Sequence, residues 1–202
     1  GVTLVEEAFR YADAGEAVAL YRALAFLPGP ERFAWRAGEG ARSNMRDVFE
    51  AACCDTPFPV RHFDDVAWRQ ALIKAIFVEA PLWRIQGLDE RPSPELARMA
   101  LDLADERRSA GRPVNPHLWL CLGACGGERG LASLEIELAR GHPDGRAAAA
   151  LALVRAGEAD RVRSLVAVEA DAGVRETMQS ALAGRTEPAA FRSLGLPPVP
   201  AP

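Results

Sequence analysis

The sequence has no long hydrophobic run, only three histidines and no strong excess of charge of either sign. Its longest apolar segment, from Ala147 to Val154, is far shorter than the roughly 18 residues that a transmembrane helix requires. A net charge of −4 and a pI near 5.5 argue against a dedicated binder of nucleic acid or anionic membranes. We therefore expect no nucleic-acid partner and no direct membrane insertion.

The first residues, GVTLVEEAFRYADAG, are acidic and amphipathic. They lack the basic start and apolar core of a secretory signal peptide. This pattern predicts a cytoplasmic protein.

The four cysteines and three histidines do not have the spacing of a metal site. Cys121 and Cys125 are one helical turn apart, which differs from the usual Cys-x-x-Cys knuckle, and Cys53 and Cys54 are adjacent. The glycine-rich stretch GACGGERG lacks the Gly-Lys-Ser/Thr ending of a phosphate-binding loop. No Ser/His/Asp arrangement is visible. We expect buried reduced thiols, no metal and no cofactor.

β-Branched residues are scarce, and alanine, leucine and arginine are abundant, which favours helix throughout. Capping residues stand before prolines at Gly29-Pro30, Ser93-Pro94 and Asn115-Pro116, as is typical of helix starts. The link from Thr56 to Pro59 is expected to be extended because of its two prolines. The predicted fold is an all-α antiparallel helical array, an α–α superhelix.

The C-terminal part has a weak internal repeat. Asp144 and Asp171 open comparable helices 27 residues apart, which favours stacked HEAT-like helix pairs. We predict a helical core at 1–122, HEAT-like repeats packed on it at 123–187, and an extended or disordered Pro-rich tail at 188–202.

The most informative segment runs from Asp64 to Val78. Asp64 is a suitable N-cap, and nearly every direction around the following helix is hydrophobic, which is typical of a central helix. Gln70 and Lys74 lie one turn apart on it and must face the same place. Because an unpaired buried charge is very costly, the pattern predicts a polar pocket or a buried ion-pair network.

Two interpretations of this polar region stay open. A small anionic or hydroxylated molecule would meet basic groups and amides in a cleft. Alternatively, ion pairs of Lys74 with Glu50 or Asp47, and of Arg84 with Asp89, would only hold the helices in register. The candidate ligand-binding residues are Arg42, Asn44, Glu50, Gln70, Lys74, Arg84 and Arg107.

Several separated motifs resemble one family. They are WRAGEGARSNMRDVFEAA, TPFP, HFDDVAWRQALIKAIF, PLWRIQGLDER and ELARMALDLADERRSAGRPV, spread over roughly residues 20 to 122. Together they resemble the EboA-type proteins of bacterial Ebo clusters, usually described as metabolite-traffic proteins. The resemblance implies an all-α, HEAT-like protein that acts on a small metabolite beside biosynthetic enzymes and a membrane prenyltransferase-like partner. Other Ebo-pathway proteins are thus expected partners.

The chain departs from the family pattern at three positions. Thr56 and Arg69 stand where asparagine is expected, and Arg108 stands where an aromatic residue is usual. No catalytic residues follow from the resemblance.

Three functions are compatible with the sequence. The first is a non-enzymatic binding or carrier protein, which predicts a pocket lined by basic groups. The second is a pathway enzyme with Lys74 as acid or base beside Glu50 or Glu106, which predicts a carboxylate close to Lys74. The third is a protein–protein scaffold, which predicts a sealed polar network and an exposed apolar surface. The carrier is the favoured hypothesis.

Overall fold

The computed structural model describes residues 2–196. Within this range the protein is all-α, as predicted, and it contains no β-strand. No helix in this range combines the length and the apolar character that spanning a bilayer requires. The chain divides into two compact units at the junction between Gly87 and Leu88.

The first unit contains six α-helices and three short 3₁₀ helices. Its buried residues include Phe49, Trp68 and Leu72, each at most 1% exposed. The α-helices are α1 Val2–Tyr11, α2 Ala14–Ala23, α3 Ala34–Arg42, α4 Arg46–Cys53, α5 Phe58–His62 and α6 Asp65–Phe77. The 3₁₀ helices are Leu24–Phe26, Pro30–Phe33 and Leu82–Arg84.

The described part of the second unit, residues 88–196, contains five α-helices and three 3₁₀ helices. They are α7 Pro94–Ser109, α8 Gly127–Arg140, α9 Pro143–Arg155, α10 Ala159–Leu165 and α11 Ala172–Leu182, with 3₁₀ helices at Pro116–Cys121, Gly123–Cys125 and Pro188–Phe191. Helix α9 is central, because it packs on α8, α10 and α11 and residues 147–153 are all buried.

Side-chain caps begin several helices where the sequence predicts them. The carboxylate of Asp64 accepts a hydrogen bond from the backbone N–H of Ala67 (2.7 Å), and Ser93 Oγ accepts one from Leu96 (3.0 Å). Asp13 forms a capping box with Glu16 at the start of α2. These local bonds satisfy backbone donors that a helix start leaves unpaired.

Two expectations about proline and burial are wrong. Pro59 lies in the first turn of helix α5, where proline costs no hydrogen bond, so the 56–59 link is not extended throughout. Helix α6 is not surrounded by apolar neighbours, because Val66 is 54% and Phe77 63% exposed. The helix enclosed on all sides is α9.

The predicted tail is also corrected in part. Residues 188–191 form a 3₁₀ helix, and the Phe191 side chain is fully buried. Apolar burial therefore holds this segment, in spite of its proline, and residues 197–202 lie outside the described part. The division at Gly87 differs from the predicted boundaries at 122 and 187.

One buried ion pair stabilises the second unit. The Arg108 guanidinium lies 3.0 Å from a carboxylate oxygen of Glu137, donates to Ser133 Oγ (2.7 Å) and covers the Trp119 ring at 5.4 Å. Glu137 is only 7% exposed. A Cβ atom at Gly145 would lie 2.4 Å from Oε1 of Glu137, so the glycine leaves the space that this carboxylate occupies.

Candidate functional site

A cleft of about 340 Å³ opens between helices α3 and α6 of the first unit. Its floor consists of small residues, because Gly38 and Ala41 of α3 face Ala67 and Ala71 of α6. Small side chains one turn apart on both helices leave the empty space. The remaining lining residues are Arg42, Phe63, Gln70 and Lys74. Three predicted ligand-binding residues therefore line one cleft.

Lys74 is held by a neutral partner. Its ammonium donates a hydrogen bond to Oδ1 of Asn44, which lies in the break between α3 and α4. Ser43 Oγ shapes this break by accepting a hydrogen bond from the Met45 backbone N–H (3.0 Å). No carboxylate within the described range forms an ion pair with Lys74. Its charge is therefore uncompensated, and two of its three N–H donors are available to a ligand.

Lys74 is also the only lysine among 24 basic residues, the other 23 being arginines. The helical position of Lys74 selects it independently of this count. An ammonium is a compact charge with freely rotating donors, whereas a guanidinium is a larger planar fork. The count is a sequence signal that sets position 74 apart from the rest of the chain.

Arg42 lies at the edge of the cleft. It forms an ion pair with Glu39 one turn earlier, and its side chain is 56% exposed. A Cβ atom at Gly38 would lie 3.3 Å from Nη1 of Arg42, so the guanidinium lies directly over this glycine. The missing side chain at position 38 thus sets the place of the second cation.

Gln70 is exposed, and its side chain makes no hydrogen bond to another described residue. It stands one turn before Lys74 and lines the same cleft. The amide offers both a donor and an acceptor to a bound molecule. The predicted position of Gln70 beside Lys74 on one side of α6 agrees with the cleft, and this side of the helix is its open side.

Glu50 and Arg84 belong to a separate ion-pair cluster. Arg84 Nη1 lies 2.9 Å from Glu50, and its Nε donates to Asp55 (2.9 Å), while Arg46 Nε lies 2.7 Å from Glu50. The hydrogen bond to Asp55 raises the pKa of Arg84. Burial raises the pKa of the nearby Cys54 thiol to about 12, so this thiol is neutral at physiological pH.

This cluster corrects the predicted pairing. Arg84 pairs with Glu50 and Asp55 instead of Asp89, which pairs with Arg155. Lys74 pairs with neither Glu50 nor Asp47. Glu50 is already held by two arginines, so the carboxylate that an acid–base role would require is not beside Lys74.

Arg107 is not among the residues that line the cleft. It lies in α7 of the second unit, and its Nε donates to the backbone carbonyl oxygen of Pro113 (3.3 Å). The geometry of the cleft therefore rests on the first unit alone.

No tryptophan lines the cleft, and its described lining residues include no histidine, cysteine or carboxylate. Residues 2–196 contain no group of three or more His, Cys, Asp or Glu side chains that could hold a metal ion. Trp68 and Trp119 are each 1% exposed and belong to the cores of their units. Trp35 is exposed at 63%.

The protein is thus an all-α protein with an open cleft, and the lysine that lines this cleft has a neutral hydrogen-bond partner in place of a carboxylate. Residues 2–123 match the family described as metabolite traffic protein EboA. The chain belongs to the EboA family. No curated protein and no solved structure matches it significantly.

Proposed function

We propose that this protein binds and carries a small anionic or hydroxylated metabolite in the α3–α6 cleft, without catalysing a reaction on it. The observation that carries the proposal is the Lys74 ammonium, which lines an open cleft and has only the neutral Asn44 as its partner. An anionic group would supply the missing countercharge, and charge-assisted hydrogen bonds are stronger than neutral ones.

The residues around Lys74 have complementary roles in the proposal. Arg42 adds a second cation at the cleft edge, and Gln70 binds a hydroxyl or carbonyl group of the ligand. Asn44 positions the ammonium and leaves its charge intact. Glu50, Arg84 and Arg107 are engaged elsewhere, so we assign them no direct contact with the ligand.

The family description, metabolite traffic, favours a carrier over an enzyme. Other proteins of an Ebo-type pathway are the proposed partners that deliver or receive the metabolite. We further propose that helices α8 to α11 stack in a HEAT-like manner, as their short lengths favour.

The test compares the wild type with Lys74→Met and with Lys74→Arg. Thermal shift and native mass spectrometry are carried out with a panel of small anions, including inorganic phosphate, citrate and sugar phosphates, and with uncharged polyols. A ligand at about 100 times its Kd stabilises the wild type by about 2.7 kcal/mol. Lys74→Met should lose this stabilisation, and Lys74→Arg should keep part of it, because the charge remains but the compact donor geometry does not.

Arg69→Met is the matched control, because it removes one positive charge from the same helix outside the cleft lining. Without ligand, Lys74→Met should change the free energy of unfolding by less than about 1 kcal/mol, since no buried carboxylate loses its partner. If no compound stabilises the wild type, or if Lys74→Met is stabilised equally, the proposal is wrong.

A further inference from the structure

Exposed apolar side chains are concentrated around the cleft. Nine large hydrophobic side chains are exposed among the described residues, and four of them lie within about one helical turn of a residue that lines the cleft or of Asn44. These four are Trp35, Met45, Val66 and Phe77, each more than half exposed. Single exposed hydrophobic residues need no explanation, but a cluster around a binding site does.

Helix geometry places Trp35, Val66 and Phe77 at the rim of the cleft, next to the residues that line it. On α6, Phe77 follows Gln70 by seven residues, which is close to two full turns, and Val66 precedes Gln70 by four. On α3, Trp35 precedes Arg42 by seven residues. The exposed apolar groups therefore continue the two rows that carry the polar lining residues.

The cleft itself has a polar end and an apolar floor. Lys74 and Arg42 supply positive charge at the C-terminal halves of their helices. Between the helices lie only the small residues Gly38, Ala41, Ala67 and Ala71, together with Phe63. A purely ionic ligand would leave this apolar floor in contact with water, whereas an apolar group on the ligand would bury it, which is favourable.

From this arrangement we propose that the ligand is an amphiphile. Its small anionic head binds Lys74 and Arg42, and its apolar chain or ring lies on the floor of the cleft beside Phe63 and reaches the apolar rim, to which Trp35, Val66 and Phe77 belong. The inference rests on the proposed function and narrows its ligand class. The volume of about 340 Å³ is at the lower end of small-molecule sites, so it suits one short chain.

A small amphiphile fits better than a protein helix or a second copy of the chain. The cation at Lys74 has no carboxylate partner, and the small-residue floor is recessed between two helices. A protein partner is recognised mainly through large anchoring side chains on broad surfaces. Controls described below test a second copy of the chain and a membrane surface as alternative occupants.

The test measures the affinity of monoalkyl phosphates with two, four, six and eight carbons, below their micelle concentrations, by isothermal titration calorimetry. Inorganic phosphate is the head-only reference. Each buried methylene should tighten binding about four-fold until the cleft is filled. Trp35→Ser and Phe77→Ser should reduce this increase with chain length and leave the affinity for inorganic phosphate unchanged.

Phe26→Ser is the matched control, because Phe26 is 85% exposed but lies outside α3, α6 and the cleft lining. It should leave the chain-length dependence intact. If phosphate binds through Lys74 but chain length has no effect, the amphiphile inference fails and the proposed function stands. If neither phosphate nor any alkyl phosphate binds, and the wider panel also fails, the proposed function itself is overturned.

Because Lys74 is the only lysine in the sequence, its NMR signal reports directly on binding of the ligand's anionic head. Biosynthetic labelling with ¹³C-lysine gives one ¹³Cε signal, that of Lys74, and it leaves the charge and the three N–H donors intact. This signal should shift on addition of inorganic phosphate and by a similar amount for every chain length. No shift, at concentrations where calorimetry shows binding, would contradict binding of the head at Lys74.

Two further controls address the other occupants. Analytical ultracentrifugation should show the same oligomeric state for the wild type and Trp35→Ser. Loss of a dimer in this variant would assign the apolar surface to a second copy and overturn the inference. The second control is co-sedimentation with neutral phosphatidylcholine vesicles. If the wild type co-sediments and Phe77→Ser does not, the apolar surface binds a membrane, and the amphiphile inference is likewise overturned.

Discussion

Gly38 shows how one missing side chain can shape a binding site. The Arg42 guanidinium occupies the space that a Cβ atom at this position would approach. Gly40, two residues later, has a different role, because a Cβ there would lie 2.7 Å from both the Ala52 Cβ and Tyr21 Cε1. The first glycine makes room for a flexible cation, and the second makes room for neighbouring helices.

This difference predicts opposite effects of the same substitution. Gly38→Ala should raise the free energy of unfolding by about 0.5–1 kcal/mol, because alanine is the better helix residue and the Arg42 tip can move aside. It should also weaken anion binding, because it displaces that tip. Gly40→Ala should lower stability by about 1–3 kcal/mol through overpacking. Urea denaturation and ligand titration of both variants check this.

A Gly38→Ala protein that binds anions as tightly as the wild type would contradict the role of Arg42. Equal destabilisation by both substitutions would show that position 38 is also closely packed. Arg42→Gln separates the two contributions, because it removes the cation and leaves the glycine in place.

Some site contacts could be predicted from sequence and others could not. Gln70 and Lys74 share a cleft because they lie one turn apart on one helix, which is a local relation. Lys74 and Asn44 are 30 residues apart, and Arg84 and Glu50 are 34 apart. Such pairings depend on how separate helices pack. The sequence offered nearby carboxylates, such as Asp89 for Arg84, as equally plausible partners.

At the level of elements, apolar periodicity identified helices but not their position in the fold. Helix α6 has large hydrophobic residues in most directions, yet Val66 and Phe77 remain exposed. Helix α9 is built largely of alanine and is buried along residues 147–153. Small side chains let neighbouring helices approach on every side, and this is why α9 is the central helix of its unit.

The 3₁₀ helix Pro188–Phe191 is fixed through a histidine. His117 Nε2 donates a hydrogen bond to the carbonyl oxygen of Phe191 (3.1 Å), which joins this segment to the Pro116–Cys121 helix. Burial lowers the pKa of His117 below its usual value of about 6.5, and the hydrogen bonds to the backbone of Phe191 and Leu194 only partly offset this. The folded protein therefore favours the neutral imidazole.

Linkage then gives a pH dependence of stability. Because the unfolded chain binds the proton more tightly, the stabilisation is complete above about pH 6.5. It decreases as the pH falls from about 6.5 toward the lowered pKa of folded His117, and it is constant below that. Urea denaturation at pH 7.5 and 5.5 should show this loss in the wild type. His117→Gln should show a smaller loss, and an equal loss in both proteins would contradict the assignment.

At the level of the whole molecule, the region that matches the family and the compact units of the structure end at different residues. The match covers residues 2–123, whereas the division falls after Gly87. The matched region therefore includes α7 and the Pro116–Cys121 helix, which packs on α9 of the unmatched remainder. The family region is not by itself a complete packing unit.

A fragment of residues 1–123 should accordingly be less ordered than the full chain. Removing α9 and Phe191 exposes the apolar residues of the Pro116–Cys121 helix, including Leu118 and Trp119, which are 1% exposed in the full chain. We expect binding of the dye ANS and loss of a cooperative melting transition. A fragment that melts cooperatively at the temperature of the full chain would show that this region folds independently.

The all-α class was predictable because composition and capping act along the whole chain, and both are visible in sequence. The predicted tail failed because Phe191 is held by its partners in the second unit. The HEAT-like stacking of Asp144 and Asp171 helices stays a prediction. The spacing of 27 residues shows that the two segments have similar sequences. Stacking of their helices depends on contacts between the segments, which a spacing does not reveal.

The Arg108–Glu137 ion pair links the two positions in any change of sequence. Replacing Arg108 by an aromatic residue would leave Glu137 buried without a cation, at a cost of about 3–5 kcal/mol. We therefore expect the two residues to be exchangeable only together, for an apolar pair of similar volume, and not one at a time.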